Sequence, residues 1–269
     1  MLGAIVGDIA GDVYEFSPVK SKNIELITPD SSFTDDTVMT LAVAEWLRAD
    51  SEHSSEMLIK IMRRFGRFDI QVGYGGLFYD WLLSPHPRPY GSFGNGSGMR
   101  VSPIGMYAHS LEETLDLAKR SAEVTHNHPE GIKGAQAIAA ATYLWRTGSS
   151  KDEIKAYVEQ SFGYNLHRAL DEIRPDYDFD PTCQGSVGES IICFLEGTDF
   201  EDVIRNAISL GGDSDTMAAM AGGIAAARDE GPWKIPEHLA IVCCNRLDPF
   251  FQEVLDNFES FLQNNQSNK

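Results

Sequence analysis

The sequence predicts an all-α fold, and three observations carry that expectation. Apolar residues recur at helical spacing along nearly the whole of the 269 residues, the primary signal of amphipathic helix. Ser110 with Glu113 and Ser150 with Glu153 fit the S-x-x-E capping box, in which hydroxyl and carboxylate satisfy each other's orphan amides. Strand signals are confined to one modest run, Ile24 to Thr28.

Taken in order, Gly7 to Phe16 reads as a small-residue helix carrying Asp8, Asp12 and Glu15, whose i, i+4, i+7 spacing sets the three acids on one face. Thr37 to Leu47 is apolar almost all round, which marks a central helix. Ser54 to Phe65 is the next periodic run. Ser84 to Ser102 is long and irregular, with Pro85, Pro87 and Pro89 followed by Gly91, Gly94, Gly96 and Gly98. Stretches without regular structure beyond ~12 to 15 residues usually serve a function or are disordered, and a helix is expected to open near Gly98. Ser110 opens another helix, and a further one is expected from near Lys133 through the Ala-rich stretch Gly134 to Thr147, closed by Gly148. Ser150 opens a run that ends at Gly163, and Gln184 to Glu196, Phe200 to Leu210, Thr216 to Arg228 and Pro249 to Leu262 complete the set. No repeat or linker interrupts residues 1–262, which read as one domain, and the polar tail 263–269 is expected to fray.

At 42% hydrophobic and 23% charged residues, the chain can bury a sizeable core without disulfides or a structural metal. Its 40 acidic against 22 basic residues, a net charge of −18, speak against gripping nucleic acid or anionic lipid through the overall field, since both need concentrated Lys and Arg. Cys183, Cys193, Cys243 and Cys244 show no C-x-x-C spacing, which fits a reducing compartment. The apolar N-terminus lacks a basic region and meets Asp8 and Asp12 early, and no run approaches the ~18 apolar residues of a membrane span. The expectation is a cytoplasmic monomer with neither membrane nor nucleic acid as partner.

Two acidic helix starts carry the first chemical signal. Phe33-Thr34-Asp35-Asp36-Thr37 precedes one core-like helix, and Gly211-Gly212-Asp213-Ser214-Asp215-Thr216 precedes another. One Asp or Thr suffices to cap a helix, and each start holds more oxygen ligands than a cap requires. Crowded carboxylates repel where water is partly excluded, and hard divalent cations take carboxylate and hydroxyl oxygens. Should the two starts face each other, four Asp and two Thr would surround one or two Mg²⁺ or Mn²⁺ ions, and the acidic face of Asp8, Asp12 and Glu15 would add a carboxylate. The segment Tyr90-Gly91-Ser92-Phe93-Gly94-Asn95-Gly96-Ser97-Gly98-Met99-Arg100 can turn backbone amides toward an anion, although no Gly-Lys-Ser/Thr follows and no strand precedes it. In Thr125-His126-Asn127-His128-Pro129, the H-x-H pair lacks a third soft ligand for zinc. Polar contacts to a substrate are the better use of that loop.

These motifs, with Gly7-Asp8, Gly11, Glu15 and Gly73-Tyr74-Gly75-Gly76, occur in an order that resembles the ADP-ribosylglycohydrolases over most of the chain. The resemblance implies a single compact orthogonal helical bundle with a binuclear Mg²⁺ or Mn²⁺ cleft, and hydrolysis at the anomeric carbon of the distal ribose of ADP-ribose. It implies Thr34, Asp35, Asp36, Asp213, Asp215 and Thr216 as metal ligands, and Glu15 as an acid over the metals. Glu15 or Asp36 would take the proton of the attacking water. Phe93, Gly94, Asn95, Gly96, Ser97, Gly98 and Met99 would wrap the diphosphate and distal ribose, with His126 or His128 beside them and Tyr90 or Phe93 against adenine. Two such ions would bring the charge from −18 to −14 and offer an anion positive potential.

Other readings are weaker. An isoprenoid synthase wants D-D-x-x-D, and Asp35-Asp36-Thr37-Val38-Met39 lacks the last Asp; a His-Asp phosphohydrolase needs an adjacent His-Asp pair, which the sequence lacks. The alternatives are a non-catalytic ADP-ribose-binding or structural protein keeping the fold, or a hydrolase of another ADP-ribosyl conjugate, of nucleic acid or a small molecule. Arginine is favoured over serine as the linkage, with Asp69 as a candidate guanidinium contact or a plain surface acid.

Overall fold

The computed structural model describes residues 1–267, and no strand occurs among them. The α-helices run α1 (Leu2–Glu15), α2 (Asp35–Ala49), α3 (Ser55–Phe68), α4 (Gly76–Leu83), α5 (Gly96–Met99), α6 (Ser102–Tyr107), α7 (Leu111–Glu123) and α8 (Pro129–Arg146). They continue with α9 (Lys151–Phe162), α10 (Leu170–Ile173), α11 (Cys183–Glu196), α12 (Phe200–Ser209), α13 (Ser214–Ala225), α14 (Glu237–Cys244) and α15 (Pro249–Ser267). The short helices α4, α6, α10 and α14 were not legible, because a few residues hold too little of a 3.6-residue period.

The capping boxes divide. At α9 Ser150 Oγ accepts from the Glu153 amide at 3.3 Å and Glu153 Oε2 accepts from the Ser150 amide at 2.7 Å, and the helix ends on Gly163 at φ 72°. At α7 Ser110 Oγ accepts from Glu113 at 3.1 Å, but the Glu113 carboxylate takes the amide of His109 at 2.6 Å. Helix α8 opens at Pro129, earlier than the expected Lys133, with His128 as cap; proline suits a first helical position because its missing N–H would have no partner there. Helix α15 runs to Ser267, past the boundary read at Leu262. Of the expected tail, Asn268 and Lys269 lie outside the described residues.

The strand expected over Ile24 to Thr28 does not form. Side chains take its carbonyls: Arg205 Nη1 donates to Lys22 O at 2.9 Å and Ile24 O at 2.7 Å, Tyr14 Oη to Glu25 O at 2.6 Å, and Arg246 Nη2 to Thr28 O at 2.7 Å. Distant guanidinium donors replace the neighbouring strand that a ladder needs, so β propensity is overridden by tertiary context.

One hydrophobic core extends from Met1 to Phe258. Every residue of α13 is buried, and α1 lies directly against it. Gly3, Gly7 and Gly11 make the approach possible: a Cβ on Gly7 would stand 2.1 Å from Ala218 O, on Gly3 2.4 Å from Gly222 O, and on Gly11 2.4 Å from Asp215 Cα. Numbers rise along α1 as they fall along α13, so the pair is antiparallel. The end of α1, with Glu15, is thereby delivered to the start of α13. No helix among the described residues is long and apolar enough to cross a membrane.

Candidate active site

The site is built around the start of α2. Asp8, fully buried on α1, accepts from the Thr34 amide at 3.0 Å, Thr34 Oγ1 at 2.8 Å, the Thr37 amide at 3.1 Å and Thr37 Oγ1. Thr34 Oγ1 also caps the helix by accepting from the Asp36 amide at 3.2 Å. Capping is thus complete without the carboxylates of Asp35 and Asp36. At the start of α13, Asp213 occupies the cap position without a side-chain cap bond, and its Oδ2 accepts from Asn95 Nδ2 at 2.6 Å. The two starts face each other: Thr216 Oγ1 donates to Asp36 Oδ2 at 3.0 Å. Glu15 joins them, with oxygens of Glu15, Asp213 and Asp215 within 4.8 Å of one another.

Burial raises the pKa of every one of these acids, and for all but Asp8 like charge adds to it. Asp35 is pushed up to about 8 by burial and then by Asp8 and Asp213, and Glu15 to about 7 by burial and then by Asp213, Asp12 and Asp8. Asp36 and Asp215 lie well above the ordinary carboxylate range for the same reasons, and burial raises Asp213 too. Asp8 rises only to about 6, because the Thr34 and Thr37 donors favour its charged form. No Lys, Arg or His among the described residues forms an ion pair with Glu15, Asp35, Asp36, Asp213 or Asp215. Asp36 Oδ1 is buried without a hydrogen-bond partner among the described residues. A buried lone pair left over amid mutually repelling carboxylates fits a hard divalent cation.

The acids floor a cleft of about 840 Å³, a size suited to a nucleotide-like ligand. Of the residues expected to contact substrate, Phe93, Gly94, Asn95, Gly96, Met99 and His126 line it. Ser97, Gly98 and His128 are not among the lining residues. Ser97 Oγ donates inward to Gly131 O at 2.7 Å, a Cβ on Gly98 would lie 3.1 Å from Met220 Sδ, and His128 Nδ1 accepts from the Glu130 amide at 3.1 Å as the cap of α8. The short helix α5 opens at Gly96, ahead of the expected Gly98. Phe16 and Phe179, which no sequence signal marks, stand at the rim, 81% and 45% exposed and stacked with centroids 6.4 Å apart. The sequence assigns no role to Arg100, which lines the cleft from a fully buried position, and marks Asp8 only as one acid of a face that could add a carboxylate, not as the anchor of α2. For Asp8, the shared face with Glu15 was the available signal. Asp69 lines the cleft as well.

The family model of the ADP-ribosylglycohydrolases matches residues 1–265. The chain belongs to the ADP-ribosylglycohydrolase family. It is therefore a glycohydrolase, with the all-α fold of that family. The chain is 28% identical to "ADP-ribosylhydrolase ARH3" of Mus musculus, with 88% of this chain and 84% of that protein covered. It is 25% identical to "ADP-ribosylarginine hydrolase Tri1" of Pseudomonas putida (strain GB-1), with 84% and 68% covered. Among solved structures, "ADP-ribosylglycohydrolase-related protein complex" superposes with a TM-score of 0.70 at 24% identity, covering 97% of this chain and 96% of that one; this likeness shows the fold.

Proposed function

We propose that the enzyme releases ADP-ribose from ADP-ribosylated protein side chains, acting in the cytoplasm as a monomer on residues 1–262. The observation that carries this reading is the bond from Thr216 to Asp36, which joins two acidic helix starts around an unpartnered Asp36 Oδ1. Thr34, Asp35, Asp36, Asp213, Asp215 and Thr216 would hold two Mg²⁺ or Mn²⁺ ions. When bound, the ions supply Lewis-acid attraction for the distal ribose hydroxyls and lower the pKa of water. Glu15, half-buried and raised to about 7, has the basicity to take the proton of the water that attacks the anomeric carbon, with Asp36 the alternative acceptor. Gly94 and Gly96 leave the wall open to a diphosphate, Asn95 steadies Asp213, and Phe93 with Met99 and His126 flanks the ligand. Ser97 and Gly98 support the loop from behind, and His128 holds the start of α8.

Arginine is the favoured linkage over serine. Asp69 lines the cleft, forms no ion pair among the described residues, and presents a carboxylate suited to a guanidinium. The relative named as an ADP-ribosylarginine hydrolase points the same way. The free, mostly buried cysteines agree with a reducing compartment. Peptides carrying ADP-ribosyl-arginine and ADP-ribosyl-serine, assayed side by side with Mg²⁺, Mn²⁺ or chelator, test the reading. Faster metal-dependent release from arginine is expected. Binding of ADP-ribose with no release from either peptide would replace the hydrolase by a non-catalytic binder, and release only from nucleic-acid or small-molecule conjugates would replace the protein substrate.

A further inference from the structure

Behind the glycine-rich wall of the cleft, three side chains in series end on His126. Arg100 is 1% exposed and takes part in no ion pair among the described residues. Its Nη2 donates to Ser121 O at 2.7 Å and to Thr125 Oγ1 at 2.9 Å, which uses both hydrogens of that nitrogen. A guanidinium cannot accept, so Thr125 Oγ1 is the acceptor in the second bond. The same oxygen lies 2.7 Å from His126 Nδ1. Thr125 is fully buried, and Nδ1 is the acceptor the structure provides for its hydroxyl proton. Because buried polar groups use their donors, Thr125 donates to Nδ1, and the ring hydrogen is left on Nε2. Burial first, and the Arg100 charge second, hold His126 well below the ordinary histidine pKa, so the ring is neutral. Nε2 faces the loop: a Cβ on Gly96 would stand 3.3 Å from it and one on Gly94 3.6 Å.

We infer that Arg100, acting through Thr125, is a positioning residue that fixes His126 in the tautomer carrying its hydrogen on Nε2, aimed at an anionic oxygen of the substrate diphosphate. The ligand in that statement rests on the reading of the preceding subsection; the tautomer does not. The opposite tautomer would turn an Nε2 lone pair toward the anion and repel it. Arg100 has a second effect from the same place. Its buried charge has neutral oxygens as its hydrogen-bond partners and an unpartnered Nε, so it lends positive potential to one wall of a cleft whose floor is acidic.

Long-range ¹H–¹⁵N correlation of the histidine rings in the full-length protein tests the tautomer without substrate. The Nε2–H pattern is expected for His126 in the wild type and in Thr125→Ser, with mixed or reversed patterns in Thr125→Val and Arg100→Met. Calorimetric titration with ADP-ribose is expected to show binding about tenfold or more weaker in Thr125→Val, the usual cost of losing a hydrogen bond to a charged group, with Thr125→Ser close to wild type. An Nδ1–H or doubly protonated ring in the wild type at neutral pH overturns the inference, even if the variants do not fold. An unchanged Nε2–H pattern in Arg100→Met removes Arg100 from it. Failure of the wild type to bind ADP-ribose while the Nε2–H pattern stands would overturn the choice of ligand instead.

Discussion

The two acidic helix starts look alike in sequence, yet they are held by different forces. The start of α2 is fixed by hydrogen bonds: Asp8 reaches across from α1 and accepts from both Thr34 and Thr37. The start of α13 is fixed by backbone contact, since Gly11 lies so close to Asp215 that a Cβ would stand 2.4 Å from its Cα, and Ser214 Oγ donates to Gly11 O at 3.0 Å. One helix, α1, thus serves both starts, with a polar anchor for the first and a glycine track for the second. The acids at these starts thus differ in how they are used: one is filled by hydrogen bonds, and another keeps an oxygen without a partner among the described residues. Asp8 has its lone pairs filled by threonine donors, whereas Asp36 keeps an unfilled buried oxygen.

That difference can be broken at graded points. Asp213→Ala and Asp35→Ala are expected to lower ADP-ribose release by about 10³-fold or more, on the order of 4 kcal/mol in the transition state, while circular dichroism stays native. Unchanged metal binding by calorimetry in both variants would sink the ligand assignment. Gly7→Leu comes next, because its side chain would meet Ala218 O, where even a Cβ lies 2.1 Å away; a loss of about 3 kcal/mol is expected from such overpacking. Denaturant midpoints within error of wild type would show that α1 can move off α13 freely. Asp8→Asn should cost about 2 kcal/mol by leaving one threonine donor without an acceptor, with activity falling only through misplacement of Asp35 and Asp36. If its activity loss matched that of Asp35→Ala with stability intact, Asp8 would belong with the acids proposed to hold metal.

A further effect is one of pH. Folding raises Asp8 to about 6, Glu15 to about 7 and Asp35 to about 8, so the metal-free folded form keeps protons that the unfolded chain has released. Stability from these groups is present below the unfolded carboxylate value of about 4 and is lost as pH climbs through 6 to 8. Thermal unfolding of metal-free protein should therefore move to lower temperature from pH 5 to 8, and Mg²⁺ should reverse the trend most at pH 8. A metal-free protein more stable at pH 8 than at pH 5 would contradict the raised values.

Much of the site could be read from the chain because its acids are neighbours in sequence. Thr34 to Asp36 and Asp213 to Thr216 are contiguous runs at helix starts, where residues adjacent in sequence stay adjacent in space. The strand expected over Ile24 to Thr28 failed for the opposite reason, since Arg205 and Arg246, distant in sequence, claim its carbonyls. Ser97, Gly98 and His128 were placed at the cleft by motif alone. A loop motif does not say which of its residues turn inward, and Ser97 does so toward Gly131 O.

Residue type and spacing by themselves determined the all-helical fold, the small-residue character of α1 and the crowding of carboxylates and hydroxyls at two helix starts. These are local properties, set by periodicity, capping and the absence of side chains. Only the tertiary structure decided that the two starts meet, that Asp8 anchors one of them, and that Arg100 stands behind His126. Those facts depend on groups brought together from opposite ends of the chain, where burial removes water and makes each remaining hydrogen bond and each unneutralised charge count.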